Sequence, residues 1–413
     1  MKLFQNQTLK NNPHIAIFSS RKVGNFVVIT PLLRGLKEKY HNCTIDFFGS
    51  EITKDFEVHC PYIDWRFSLY TDRTDFLESI VKQIGIRRQL HGTYDLAINC
   101  DEFSELNLVM ITAIRPSYIA GTALSRDFSQ RFTDSSNPIQ KMLSDRNWNS
   151  LDFVRKYQTV INSNYISEIF CRIAYVETDF YKLELPSKPP NFIVPDILIH
   201  LTATRPAKMW FIEYWQQVVE WCEEQGLKVG LIGSTPITQH NLYHSNGEED
   251  YLLQTTSAID LRGKTSLLEL AGAFRQAKAC ISVDTGPLHI AAAVGCLTLG
   301  IFGNDEDGDG ASPIRLWAPR QSHVKIPASN HKCTLCQKNR YKNQLCLLEN
   351  HPCMNHLKPE TVINYLSILI STAIDSTNNK SIQSQQLVSF SQSLTQLTVR
   401  KNEIINNNLG NNA

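Results

Sequence analysis

Residues Val283–Ala293 read VDTGPLHIAAA, and the fold turns on how this stretch is understood. A buried strand over Cys280–Val283 ends at Asp284. Thr285-Gly286 then turns the chain, and Pro287 opens a helix over Pro287–Val294, in a first turn where a missing amide hydrogen costs nothing. Amides at a helix start have no partner within the helix. With Gly286 carrying no side chain and the Thr285 hydroxyl alongside, they form a cradle for phosphate. His289, in the first turn, adds a donor to the same anion. Open parallel sheets bind ligands beyond the carboxyl ends of their strands, which is where this turn falls. The same grammar is also met by a helix whose Asp284 is only a cap.

Upstream, the elements needed for such a sheet are present. Asp196–His200 (DILIH) is a strand, Leu201–Lys208 a loop, and Trp210–Gln225 an amphipathic helix stopped by Gly226. Lys228–Ile232 is a strand. Ser266-x-x-Glu269 is a capping box that starts a helix over Ser266–Ala277, and Leu297–Phe302 is a further strand. The pattern also occurs near the N-terminus. His14–Phe18 (HIAIF) is a strand and Ser19–Asn25 a polar loop. Phe26–Tyr40 has the helical spacing Ile29, Leu32, Leu33, Leu36, with Pro31 expected to kink that helix or mark its first turns. Thr44–Phe48 is the next strand, which completes a βαβ unit. Tyr94–Asn99 is another strand, and Asn149–Ala174 is expected to be largely helical.

Two βα halves joined by Pro186–Pro195 (PSKPPNFIVP) predict an α/β protein of two Rossmann-like domains facing a central cleft. The expected organisation starts with a flexible segment 1–13, a first domain over 14–185 and a linker over 186–195. A second domain over 196–330, a Cys-rich module over 331–357 and a helix over 358–375 follow. The Ser-, Asn- and Gln-rich tail 376–413 is expected to be disordered. A length of 413 residues suits two or three domains. Lysine and arginine number 41 against 40 acidic residues, a balance that excludes a dedicated nucleic-acid binder. The first residues (MKLFQNQTLKNNPH) lack an apolar signal core, so a cytoplasmic, reducing location is expected. Thr285–Gly303 is uncharged enough to mimic a membrane span, but its Gly286, Pro287, His289 and Gly295 suit a helix, a stop and a strand better.

Read together, HLTATRPAKMW (200–210), DLRGKTSL (260–267), DTGPLHIAAA (284–293) and PIRLWAP (313–319) resemble glycosyltransferase family 9. That family includes the ADP-heptose:lipopolysaccharide heptosyltransferases. KVGNFVVITPLLRGLKEKY resembles the family's first loop and helix, and the segment ending CMNHLKPETV resembles the tail of many members. The resemblance runs in order over about residues 14–375. It implies the GT-B fold, with a nucleotide-sugar donor in the C-terminal domain and an acceptor in the N-terminal one. It further implies that Thr204, Lys208, Asp284, Thr285, Gly286 and His289 bind the donor's diphosphate and neighbouring sugar, and that the Gly263–Ser266 loop lies near the base. A lysine and a helix start would stabilise the leaving diphosphate with no cofactor required. The implied activity is inverting transfer, of heptose by default from ADP-heptose, to a glycan or glycolipid. A glycolipid acceptor leaves room for a peripheral membrane contact.

One departure stands out. The heptosyltransferases follow the glycine of the first loop with an aspartate, proposed as the base for the acceptor hydroxyl. Here Gly24 is followed by Asn25, and an amide cannot take that proton. Three readings are open: Asn25 orients the acceptor while a carboxylate such as Asp101 or Glu102 serves as base, the acceptor needs no base, or the chain is a non-catalytic binding or scaffold protein. A sugar-nucleotide epimerase of similar build is a more distant alternative.

Cys333-x2-Cys336-x9-Cys346-x6-Cys353 offers four thiols for a structural zinc or iron, with His331, His351 and His356 as substitute ligands. An unligated thiol cluster and a disulfide formed outside the cell are the competing readings. The other seven cysteines fall mostly in apolar segments and read as core. Asp305-x-Asp307-x-Asp309-Gly310 copies the opening of a calcium loop, but Leu316 stands where a bidentate Glu is required. A solvated, flexible insertion is expected there, with an active-site lid as the alternative.

Overall fold

The structure is a computed structural model, and it describes residues 1–71, 74–101, 103–134, 136–243 and 247–371. Chain contacts divide it into a unit over 1–363 and a second over 364–413, the latter helical as far as it is described, to residue 371. The expected tail lies outside the described residues.

The first unit contains two six-stranded parallel sheets. One is built from β1 (Lys2–Leu3), β2 (His14–Phe18), β3 (Thr44–Ser50), β4 (Trp65–Tyr70), β5 (Leu96–Asn99) and β6 (Tyr118–Ala120), in the order β1-β6-β5-β2-β3-β4. A short antiparallel hairpin, β7 (Ala123–Leu124) with β8 (Arg131–Phe132), follows it. The other sheet uses β9 (Ile197–His200), β10 (Val229–Leu231), β11 (Ile259–Asp260), β12 (Ala279–Val283), β13 (Leu297–Ile301) and β14 (Val324–Lys325), in the order β11-β10-β9-β12-β13-β14. In each sheet the winding reverses beside its first central strand, between β2 and β5 and between β9 and β12. Such reversals leave a crevice at the strand ends where ligands bind. This is the doubly wound architecture of the GT-B fold. Parallel strands covered on both faces need unbroken apolar runs, and β2, β5, β9 and β12 are buried along their whole length.

Within the first thirteen residues, expected to be loose, a two-residue strand instead joins the edge of the first sheet. Lys2–Leu3 pairs in parallel with Tyr118–Ile119, and Phe4 is buried beyond it. Two residues are too few to show alternation, so the strand left no periodic signal. The first helix spans Val23–Lys39 and carries Pro31 in its interior without a break. The Val27 carbonyl, deprived of its partner amide at Pro31, accepts a hydrogen bond from the Thr30 hydroxyl at 2.8 Å. Asn149–Ala174, expected to be largely helical, holds two short helices, Leu151–Lys156 and Ile166–Ile173, joined by an irregular stretch. The capping box at Ser266 is formed as expected, and Gly226 ends its helix at φ 71°. Among the described residues no helix is long and apolar enough to cross a membrane.

The acidic run is also not a loose insertion. Asp305 N donates to Asp309 O, Asp309 N returns a bond to Asp305 Oδ1, and buried Asn304 ties Gly308 O and Ser312 O from within. Lys332 neutralises Asp307 at 2.8 Å. Asp305 closes the loop on itself, while Asp307 and Asp309 face Lys332 and Arg315 from outside the run.

The proline-rich connector is fastened at both ends. Buried Arg34 of the first helix donates to Lys182 O, Glu184 Oε2 and Asp179 O. Four residues on, Lys188 N donates to Leu268 O at 2.9 Å, and the Lys188 carbonyl lies against the bare face of Gly272. A side chain at 272 must displace backbone. Gly272→Ala is therefore expected to lower stability by about 1–3 kcal/mol, read as a lower urea midpoint at unchanged slope.

Candidate functional site

The second sheet's crevice gathers residues from two adjacent strands. β9 ends at His200, beside Ser282 of β12. After β9 the chain runs through an irregular loop to a 3-10 turn at Pro206–Lys208, and after β12 it passes Asp284 and Thr285 into the Gly286–Ala293 helix. Lys208 Nζ bridges this gap, donating to Asp284 Oδ2 at 2.5 Å and to Asp284 O at 3.2 Å. Burial pushes the Asp284 carboxyl up, but the Lys208 ammonium outweighs it and holds the group below the ordinary carboxylate value.

The Thr285 hydroxyl is already engaged within the turn, 3.0 Å from His200 Nδ1 and donating to Val283 O. No side chain caps the helix that follows. The amides of Thr285, Gly286 and Leu288 are the ones left over by the helical pattern. His289 is buried, and that burial depresses its ring to about 4, so the imidazole is neutral at pH 7. Its Nδ1 is buried with no hydrogen-bond partner in the described residues. A buried polar atom without a partner costs about 1–3 kcal/mol, so the geometry suits a ligand that supplies one. Thr204 lies on the same loop as Lys208 but is exposed, and its side chain makes no hydrogen bond among the described residues. The Gly263–Ser266 loop follows β11 at the same edge, with Gly263 N bonded to Gly233 O and φ 68° at Gly263.

The first sheet's crevice faces this one. The loop after β2, Ser19–Lys22, leads into the Val23–Lys39 helix, which likewise has no side-chain cap. The two helix starts meet through glycines. A Cβ on Gly286 would lie 3.2 Å from Val23 Cβ, and one on Gly24 would lie 3.0 Å from His289 Cδ2. Asn25 is half-buried in the first turn of its helix, and its amide makes no hydrogen bond among the described residues. Asp101 follows β5, next to β2 in the sheet, and accepts from Phe103 N at 3.3 Å. Burial raises its carboxyl above the ordinary value, against the pull of that bond and of the Lys22 ammonium. Glu102 lies outside the described residues.

Sequence reading did not assign a role to several groups here. Lys22, immediately before the first helix, forms no ion pair among the described residues, yet its ammonium is in electrostatic range of Lys208, Asp101, Arg21 and Asp284. His200 orients Thr285 from beneath. Asn107 Nδ2 holds Ser19 O at 3.1 Å, with Tyr70 OH on Asn107 Oδ1, so the β2 loop is braced by the Glu105–Ala113 helix and the end of β4. The clue to Lys22 was its place before a helix start that lacks Ser, Thr, Asp or Asn as a cap. The bracing residues are far apart in sequence and gave no signal.

The Cys-rich segment packs behind the Lys208 loop. Ala207 N donates to Gln344 O, His351 Nε2 lies 3.0 Å from Ala207 O, and Arg205 reaches Ala311 O and Asn343 O. All the cysteines are free. The Cys353 thiol is pushed up by burial and by hydrogen bonding to Cys333, with Cys336 and Cys346 near enough to add to the effect. Arg205 and Asn343 both point donors at Cys336 Sγ. As a donor set, four thiols with nearby cationic and amide donors fit a thiolate-bound metal. No group of three or more among the described residues is already arranged to hold one.

Residues 177–345 match the family model described as glycosyltransferase family 9 (heptosyltransferase). Lipopolysaccharide heptosyltransferase 1 of Escherichia coli K12 is 24% identical over 156 residues, 37% of this chain. The match spans 46% of that relative, so about half its length is unaccounted for in sequence. In three dimensions, a family 9 glycosyltransferase from Veillonella parvula superposes with a TM-score of 0.67 at 17% identity, covering 89% of this chain and 99% of that one. TibC, an iron-containing dodecameric glycosyltransferase of enterotoxigenic E. coli, superposes at 0.55 and 16% identity, over 89% of this chain and 81% of its own. A further structure of it is described as a complex with ADP-D-β-D-heptose. Residues 177–345 are thus similar in sequence to glycosyltransferase family 9, and the chain shares the GT-B fold of that family's solved structures.

Proposed function

We propose that the chain is an inverting glycosyltransferase that moves a sugar, heptose by default, from a nucleoside-diphosphate donor such as ADP-heptose to a hydroxyl of a glycan or glycolipid. The observation that carries this reading is the pairing of Lys208 with Asp284 beside an uncapped helix start, opposite a second crevice that holds Asp101. The diphosphate would lie against Lys208 and the free amides of Thr285, Gly286 and Leu288, with His289 within reach. Asp284, kept ionised, holds the Lys208 ammonium in place.

In the reaction the acceptor oxygen attacks the anomeric carbon from the face opposite the diphosphate, and the carbon–oxygen bond to the diphosphate breaks. The acceptor proton goes to a carboxylate, and the nucleoside diphosphate departs with the extra negative charge. Preorganised donors aimed at that charge act where water is excluded, and one such donor is worth roughly 10²–10³ in rate. Asp101 is the proposed base. Its raised affinity for protons suits that task better than an ordinary aspartate, and Asn25 would orient the acceptor through its free amide. The competing reading, a binder without catalysis, is favoured by Asn25 alone.

We further propose that the four thiols Cys333, Cys336, Cys346 and Cys353 take up zinc or iron. Four thiolates would close every position of a tetrahedral ion, so its contribution would be structural, bracing the Lys208 loop through Ala207 and Arg205. A cytoplasmic location belongs to the same proposal, and contact with a membrane surface would come through a glycolipid acceptor.

Lys208→Ala is expected to lower kcat/KM by about 10²–10³, measured by nucleoside diphosphate release in the presence of acceptor. Asp101→Asn should cost roughly 10²–10⁴. A base must be deprotonated to act, so wild-type kcat/KM falls as pH drops through the Asp101 pKa, which lies above the ordinary ~3.9. That acidic limb should vanish in Asp101→Asn. If the wild type is inert and Asn25→Asp switches transfer on, the non-catalytic reading replaces this one. Metal analysis of the purified chain should give one zinc or iron per molecule, and Cys333→Ser with Cys353→Ser should remove it.

A further inference from the structure

We infer that Lys22 is a second ligand for the donor's diphosphate, delivered from the opposite sheet, so that the bound donor is held from both halves of the chain at once. The inference rests on the proposed diphosphate site and adds a residue for which the family resemblance assigned no role.

Three observations carry it. Lys22 directly precedes Val23, and Val23 is the residue that packs on Gly286 at the proposed cradle, 3.2 Å from where a Cβ would stand. A lysine at that position has its backbone fixed within one residue of the anion's expected place. Second, its side chain has no hydrogen bond or ion pair among the described residues, although Asp101 and Asp284 both act on it electrostatically. A cation in such company with no geometric partner is not serving the fold. Third, its largest charge–charge interaction is repulsive and comes from Lys208, across the two crevices. Crowding by the protein lowers its pKa first, and Lys208 adds to that.

Two lysines and two helix starts thus converge, each favouring negative charge. Asp284 answers one of the lysines. A diphosphate has two phosphoryl groups, which gives each lysine an oxygen to bind. Buried His289 packs beside Gly24 through its Cδ2–Nε2 edge, and its Nδ1 has no partner among the described residues. The arrangement favours nucleoside diphosphates over monophosphates, because the second phosphoryl group brings more negative charge and further acceptor oxygens to the two cations.

Titration calorimetry with ADP, UDP, GDP and dTDP, and with AMP as the one-phosphate control, tests this. Lys22→Met is expected to weaken the best-bound diphosphate about 10- to 100-fold, the range of one charge-assisted hydrogen bond, with AMP binding changed by less than about 3-fold. The dependence of diphosphate affinity on salt should flatten in the variant, and Lys22→Arg should restore most of the affinity. The exposed side chain has no bond to lose, so the melting temperature of the unliganded variant should not fall, which separates this effect from misfolding. If Lys22→Met binds diphosphate like the wild type while Lys208→Ala does not, the inference is overturned and the proposed site stands. Equal weakening of AMP and diphosphate by Lys22→Met also overturns it. If the wild type binds none of the four diphosphates, the diphosphate site itself falls, and the role of Lys22 with it.

Discussion

Two helices begin at the same place and neither is capped. The peptide dipoles of the Val23–Lys39 and Gly286–Ala293 helices leave partial positive charge at ends that touch through Gly24 and Gly286. Lys22 and Lys208 add full charges to the same region. Like charges gathered this way raise the free energy of the empty protein, and much of the surrounding structure restrains them. Asp284 is buried and ionised against Lys208, His200 fixes the turn that starts one helix, and Asn107 with Tyr70 fixes the loop that starts the other. The glycines permit the approach. Each winding reversal puts a loop where a ligand can reach it, and here two such loops face each other.

Much of this was legible from the sequence, because the deciding features are local. Strand, turn and helix are written in Val283–Ala293 within eleven residues, and the capping box at Ser266 is a three-residue spacing with one geometric meaning. The meeting of Lys208 with Asp284 was suggested by family likeness and not by spacing, since 76 residues separate them. What escaped the sequence is non-local or too short. β1 and β11 are two residues each, β4 and β6 have no clean alternation, and the His200–Thr285 contact joins strands that only the sheet order makes neighbours. Pro31 reads as a kink or a first-turn marker because the rule for proline counts the lost hydrogen bond. It does not see that the preceding threonine can replace it. The acidic run misled for a related reason: three aspartates look solvated until their backbone partners and Lys332 are known.

The Cys-rich segment is built into the donor side of the molecule and is not an appendage. It grips the Lys208 loop at Ala207 and Arg205, and Trp210 Nε1 donates to Leu357 O just beyond. Tyr341 of the same segment accepts from Asn149 in the first half of the chain, whose carbonyl also receives Arg315. A change in the thiols would therefore be felt at Lys208 through two or three hydrogen bonds.

The connector has a mechanical consequence. Arg34 grips the chain as far as Glu184, and Lys188 is pinned to the Leu267–Gln276 helix, so only residues 185–187 are free of both clamps on that side. Slack of three residues cannot let the sheets wander apart as beads on a string. Any opening of the crevices would have to pivot about that short stretch, like a door on a stiff pin, and the rim farthest from the pin would travel most.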